Sequence, residues 1–95
     1  MNNYESTIII DPSLDEKEVK DLIKKFEDLI NSLGKLEDVS VIGKKRLAYE
    51  INKQKEGTYV LYTFDAEPNA IAELERNYRI ADNIMKFITV KKNNK

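Results

Sequence analysis

The stretch YESTIIIDPSLDEKEVKDLIKKFEDLINSLG, residues 4–34, carries a strand signal followed directly by a helix signal. Its first part, residues 4–10, is rich in β-branched side chains, which favour strands. Alternation along this segment puts four side chains on one face, and these are Tyr4, Ser6, Ile8 and Ile10. Asp11-Pro12 ends the strand, because proline has no amide hydrogen to donate to a sheet.

A helix is predicted to begin near Leu14. Ser13, with Glu16 three residues later, has the capping-box pattern that satisfies free amide groups at a helix start. Apolar residues then recur at three- and four-residue intervals, and these are Val19, Leu22, Ile23, Phe26, Leu29, Ile30 and Leu33. Gly34 ends this stripe, as glycine commonly does after a helix C-terminus.

The next segment, residues 36–51, is predicted to be a second strand. Its period falls to two in places, with Val39 and Val41 on one face, and Gly43 is expected to mark a bulge or bend. The polar residues 52–57 end in glycine, so they predict the turn of a hairpin.

The remainder of the chain predicts a strand, a helix and another strand. Residues 58–66 are rich in tyrosine, valine, threonine and phenylalanine and form the third predicted strand. Pro68-Asn69 is predicted to start the second helix, and a fourth strand is predicted over residues 84–90. Residues 91–95 are expected to be a short polar tail.

The predicted element order is βαββαβ, the split βαβ arrangement of ferredoxin-like domains. Right-handed crossovers would put both helices on one face of a four-stranded antiparallel sheet, with the second and fourth strands at its edges. The other face would stay open. No repeat, low-complexity tract or linker divides the chain, so residues 1–95 are predicted to form one α+β domain.

The composition excludes most catalytic and metal chemistry. The chain has no histidine and no cysteine, so histidine-dependent triads, disulfides and thiolate metal sites cannot form. Its three glycines lie far apart, so they build no phosphate-binding loop. We therefore expect no enzyme activity, no metal site, no cofactor and no small-molecule substrate. The N-terminal segment lacks the pattern of a signal peptide or membrane span, so a cytoplasmic location without membrane contact is expected.

Charge is unevenly distributed along the chain. Residues 1–43 hold ten acids and five bases, a net charge of −5, whereas residues 44–95 hold seven acids and eleven bases, a net charge of +4. Lys44-Lys45-Arg46, the only basic triplet, would either meet phosphates or block unwanted pairing of an edge strand. A second basic group lies in or beside the last strand and consists of Arg79, Lys86, Lys91 and Lys92. Basic groups on opposite edges of an open sheet would flank a surface suited to RNA.

Aromatic residues on the predicted strands are possible stacking platforms for bases, although most are expected to pack in the core. They are Tyr4, Tyr49, Tyr59, Tyr62 and Phe64. The RNA-recognition motif shares this fold and places a basic-Gly-aromatic-small-aromatic signature on its third strand. Residues 56–60 read EGTYV here, so that motif is not predicted.

Three segments resemble the sixth protein of the bacterial small ribosomal subunit. Residues 4–12 are similar to the Tyr-Glu opening strand of that family. Residues 43–53, GKKRLAYEINK, are similar to its Trp-Gly-Arg-Arg-Arg-Leu-Ala-Tyr-Pro-Ile signature and form the most specific match. Residues 73–86 resemble the end of its second helix and the start of its last strand. Together the three segments span nearly the whole chain.

This resemblance implies a structural role in the small subunit, pairing with the eighteenth small-subunit protein, and joint binding to the central domain of 16S rRNA. With the basic groups described above, the predicted RNA contacts are Lys44, Lys45, Arg46, Lys53, Arg79, Lys86, Lys91 and Lys92. The predicted contacts with the protein partner are Leu47, Ala48 and Tyr49.

The chain departs from the family pattern at several positions. Asn2 replaces the usual arginine, Ile42 replaces the tryptophan before the glycine, and Glu50 replaces the proline. Lys86 keeps the charge of the arginine more common there but loses its bidentate geometry.

Two alternatives from other classes share the predicted fold. A small-molecule-binding regulatory domain of the ACT type normally has a glycine in the loop after the first strand, and an acylphosphatase uses an arginine there. The corresponding loop here is Asp11-Pro12-Ser13, which matches neither.

Overall fold

The computed structural model describes residues 1–51 and 54–92, and its elements follow the predicted order. The elements are β1 Asn2–Ile10, α1 Glu16–Leu33, β2 Gly34–Ile51, β3 Gln54–Ala66, α2 Pro68–Ile80 and β4 Ile84–Lys91. The strands form one antiparallel sheet in the order β2-β3-β1-β4. The ferredoxin-like α+β fold is therefore confirmed, with β2 and β4 at the edges. Strand β4 continues through Lys91, so the prediction that the polar tail begins at Lys91 was wrong.

Helix α1 begins two residues later than predicted. The Asp15 carboxylate accepts a hydrogen bond from the Glu18 N–H at 2.8 Å, and the Glu18 carboxylate accepts one from the Asp15 N–H at 3.0 Å. This pair is the capping box, so the prediction of Ser13 with Glu16 was wrong. Ser13 instead donates its N–H and its hydroxyl to the Asp11 carboxylate at 2.9 and 2.8 Å. Asp11 therefore holds Ser13 in the turn before the helix.

The two helices cover one face of the sheet. The β1 side chains on this face, which the alternation predicted, are Tyr4, Ser6, Ile8 and Ile10, and all are buried. The helices add Leu22, Ile23, Phe26, Ile30, Leu74 and Tyr78. The Tyr62 hydroxyl donates to the Ile23 carbonyl at 3.0 Å, and the Tyr78 and Ser6 hydroxyls lie 2.8 Å apart. Burial raises the pKa of both phenols well above the ordinary range, so they stay neutral and hydrogen-bonded in the core.

The opposite face of the sheet, termed the open face, carries the odd-numbered residues of β1 and their pairing partners. The register aligns these partners in rows that cross the sheet from β2 through β3 and β1 to β4. Three of the rows are Gly43, Tyr59, Ile9 and Lys86; Ser40, Leu61, Thr7 and Ile88; and Asp38, Thr63, Glu5 and Val90. Since the side chains of one row point the same way, the register decides which charges and rings become neighbours.

Strands β2 and β3 extend beyond the rest of the sheet. Strand β1 pairs with β3 only as far as Thr58, whereas β2 and β3 stay paired beyond that point, as at Lys45 with Gly57. Residues 44–51 and 54–57 thus form a projecting two-stranded segment, termed the ribbon. The prediction that β3 starts at Thr58 was wrong, because β3 begins at Gln54. The predicted bulge at Gly43 is confirmed by a register shift and by its φ of 97°.

Candidate nucleic-acid interface

The open face has two ends with different surroundings. At the hairpin end, the row that contains Ile9 lies beside the ribbon and beside the loop that joins α2 to β4. The Asp11 N–H donates to the Asn83 carbonyl at 2.9 Å and ties that loop to the end of β1. The terminal end holds the start of β1 and the ends of β3 and β4, where the Lys92 N–H donates to the Asn3 carbonyl at 2.8 Å.

The basic triplet lies at the base of the ribbon. Lys44, Lys45 and Arg46 are all exposed, and they pair in regular register with residues 56–58 of β3. Because side chains alternate along a strand, Lys44 and Arg46 share one face of the ribbon and Lys45 lies on the other. The ribbon therefore carries positive charge on both of its faces. Arg46 lies opposite Glu56, which balances part of that charge.

Arg79 reaches the same end of the molecule from helix α2. Its guanidinium lies 5.7 Å from the centroid of the Phe87 ring and 3.9 Å from the Glu75 carboxylate. The Phe87 ring in turn packs on Tyr78, with centroids 5.2 Å apart. The buried Tyr78 thus supports the ring on which Arg79 rests, and this restrains the guanidinium at the β4 edge.

Lys86 lies on the open face in the same row as Gly43. Three strand spacings separate these two residues, a distance of about 14 Å. Five of the predicted RNA-binding residues therefore lie at the hairpin end of the molecule, with Lys45 and Lys86 on the open face and the other three on the opposite side. The five residues are Lys44, Lys45, Arg46, Arg79 and Lys86.

Lys91 and Lys92 do not join this group. Lys91 pairs with Tyr4 and Lys92 bonds to Asn3, which places both at the terminal end. The Lys92 ammonium also lies 3.6 Å from the Glu5 carboxylate. Lys53 lies outside the described residues, so its predicted contact stays a prediction.

The terminal end holds a cluster of acidic side chains. The Asn3 side-chain amide donates to the Asp65 carboxylate at 2.8 Å and to the Glu37 carboxylate at 3.0 Å. Asp38 and Glu5 share the neighbouring row. The sequence reasoning missed this cluster, because its acids lie on three strands and only the register brings them together.

The predicted protein contacts lie on the β2 strand of the ribbon, where Leu47 is half-buried. A Cβ added to Gly57 would lie 3.6 Å from a Leu47 methyl and would also contact Ile9. Leu47 therefore leans toward the open face. Ala48 and Tyr49 belong to the same strand, and their contacts stay predictions. The sequence reasoning did not single out Ile88 and Val90, which are 55% and 49% exposed on the open face of β4.

The described part of the chain contains neither a helix that could span a membrane nor a group of side chains that could hold a metal ion. No helix within residues 1–51 and 54–92 is both long and apolar enough to cross a bilayer. The acids of these same residues form no group of three or more that could hold a metal ion.

The sequence model of the family described as Ribosomal protein S6 matches residues 3–91. The chain belongs to the ribosomal protein S6 family. Small ribosomal subunit protein bS6 of Clostridium kluyveri is 46% identical over 92 residues, which cover 96% of this chain and 97% of that protein. The corresponding protein of Clostridium novyi is 46% identical over 91 residues, which cover 95% and 96%.

A solved structure of the S6 family agrees with the fold. The crystal structure of 30S ribosomal protein S6 from Thermotoga maritima matches with a TM-score of 0.92 at 32% identity, over 96% of this chain and 87% of that one. The resemblance read from the three sequence segments is confirmed. The S6 family membership makes the chain a small-subunit ribosomal protein, and the predicted location in the cytoplasmic ribosome is confirmed by these relatives.

Proposed function

We propose that this chain is a non-catalytic structural protein that binds the central domain of 16S rRNA together with the eighteenth small-subunit protein. The observation that carries the proposal is the convergence of Lys44, Lys45, Arg46, Arg79 and Lys86 at the hairpin end, in a chain of the S6 family. These residues come from two sheet edges and a helix and lie at the same end of the molecule. Lys45 and Lys86 lie on the open face, whereas Lys44 and Arg46 lie on the other face of the ribbon.

The binding mechanism follows from phosphate electrostatics. Each phosphate that a lysine or arginine neutralises releases condensed counterions, so affinity falls as salt rises. The acidic terminal end opposes binding at that end, because Asp38, Glu5 and Asp65 would repel phosphates. The two ends together orient the protein, with the ribbon and the β4 start toward the RNA.

The protein partner would supply what the chain lacks. The net charge is −1, so long-range attraction to RNA is weak for the chain alone. A basic partner seated on the apolar positions of the ribbon, Leu47, Ala48 and Tyr49, would add positive charge beside the hairpin end. We therefore expect weak binding by the chain alone and much stronger binding by the pair.

Binding to a 16S central-domain fragment, measured with and without the partner protein across a salt series, tests the proposal. We expect the affinity of the pair to exceed that of the chain alone by at least about tenfold and to fall steeply with salt. Absence of binding in both cases would overturn the proposal. A duplex of unrelated sequence serves as the control for binding that depends on phosphates alone.

A further inference from the structure

A cavity of about 210 Å³ opens on the hairpin end of the open face. It is lined by Thr7, Ile9, Tyr59, Lys86, Phe87 and Ile88. Since β1 lies between β3 and β4 in the sheet, Thr7 and Ile9 form the floor of the cavity. Tyr59 rises on the β3 side, and Lys86 and Ile88 rise on the β4 side.

The Tyr59 ring, which forms the wall of the cavity on the β3 side, has open space next to it. Tyr59 lies opposite Gly43 in the register, and a Cβ added to Gly43 would meet nothing within 4 Å. Tyr59 is only half-buried, and it takes part in none of the ring pairs found among the described residues. The ring therefore presents surface to the open face that a flat ligand can cover.

The lining has the chemistry of a small binding site. Most of it is apolar, with the Thr7 hydroxyl on the floor and the charge of Lys86 on one wall, and sites for small planar groups commonly combine these features. An aromatic ring with a neighbouring cation binds an unpaired nucleotide, because the base stacks on the ring while the cation meets the phosphate. The hydroxyl would bond to the edge of the base.

We propose that this cavity binds one unpaired nucleobase of an RNA strand whose phosphates pass along Lys86 toward Lys45 of the ribbon. The inference rests on the proposed RNA-binding function and deepens it, since it adds contact with a base to contacts with phosphates. Charge favours this occupant over an apolar side chain of a protein. Lys86 lines the cavity and Lys45 lies on the open-face side of the neighbouring ribbon, whereas Glu5 and Asp38 lie in the row at the terminal end.

NMR titration of the full-length chain with a single-stranded hexaribonucleotide tests the inference, with a duplex of the same sequence as comparison. We expect the single strand to shift the amide signals of Thr7, Ile9, Tyr59 and Ile88, and the duplex to leave Thr7 and Ile9 unchanged. Tyr59→Leu should weaken single-strand binding about tenfold, whereas Tyr59→Trp should retain it. Val90→Ala changes an exposed residue of the same face outside the cavity, so it should leave the affinity unchanged.

Several results would overturn the inference. Equal binding by the wild type and Tyr59→Leu would do so, provided that circular dichroism shows the variant folded. Shifts at Thr7 and Ile88 caused by the partner protein but not by the single strand would identify a protein side chain as the occupant. If the 16S fragment still binds to the Tyr59→Leu pair with unchanged affinity, the base contact is wrong and the proposed function stands. If the wild-type pair does not bind that fragment, the proposed function fails on its own test.

Discussion

The two ends of the open face are built from the same four strands and differ in almost everything that a ligand would meet. The hairpin end carries the Tyr59 ring, a cavity, Lys45 and Lys86. Lys44, Arg46 and Arg79 lie at the same end of the molecule but on its other side. The terminal end carries two carboxylates that share one amide donor, and Lys92 contacts a third acid, Glu5. Because every strand passes through both ends, position along the strands, and not the choice of strand, decides which side chains the open face presents at each end.

The terminal end should be the less tolerant of added volume. Gly34 starts β2 there, and a Cβ on it would clash with the Asp65 carbonyl and lie 2.9 Å from the Cβ of Ala66. We expect Gly34→Ala to lower the free energy of unfolding by about 3 kcal/mol. Gly43→Ala, at the hairpin end, has open space but a φ of 97°, so its cost should be about 1 kcal/mol. Urea denaturation measures both variants, and equal losses would contradict the difference in packing.

The difference in charge between the ends should appear as a difference in RNA affinity. We expect the triple reversal Lys44→Glu, Lys45→Glu and Arg46→Glu to weaken binding of the pair to the 16S fragment about a hundredfold. The logarithmic salt slope should fall by about 2 to 3, because up to three phosphate contacts disappear. The matched control is Lys91→Glu with Lys92→Glu at the terminal end, which acts only through long-range repulsion and should weaken binding by no more than about tenfold. An equal loss in both variants would show that the RNA does not distinguish the ends.

The acidic side chains of the terminal end should weaken RNA binding through long-range electrostatic repulsion, without contacting the RNA. We expect Glu5→Gln combined with Asp38→Asn to raise affinity by about threefold at low salt, because two negative charges near the RNA are removed. The gain should vanish at about 0.5 M salt, where screening shortens the range of such fields to about 4 Å. Filter binding at both salt concentrations measures the effect. A gain that persists in high salt would indicate direct contact between this end and the RNA.

The smallest expected effect concerns the support of Arg79. Phe87→Leu removes the ring under the guanidinium and should weaken RNA binding about twofold, whereas Phe87→Tyr should preserve it. In an Arg79→Gln background, Phe87→Leu should have no further effect on affinity. A double-mutant cycle of the RNA affinities tests this coupling, and thermal unfolding reports the separate cost to the core. Additive losses would mean that the ring acts only through stability.

The sequence was informative where one face of an element is buried. The apolar stripe of α1 and the alternation of residues 4–10 predicted those elements and their buried faces, because burial imposes a period on the side chains. Two positions were misread for local reasons. Two capping-box patterns overlap at the start of α1, and the hydrogen bonds from Ser13 to Asp11 decide between them. Lys55 and Glu56 are exposed, and residues 54–57, QKEG, carry no apolar period that would mark them as strand.

The signature in residues 43–53 determined the family from the sequence alone, because the order of residues along a chain can be compared with a family pattern without knowledge of the fold. The sequence also determined that catalysis by histidine or cysteine is excluded. The clustering of Arg79 and Lys86 with the basic triplet, the separation of Lys91 and Lys92, and the cavity beside Tyr59 were decided by the tertiary structure. The positions of the lysines and of the cavity depend on the pairing register of strands that are distant in the chain, and that register is set by packing of the opposite, helix-covered face. The position of Arg79 depends on the contact of helix α2 with Phe87.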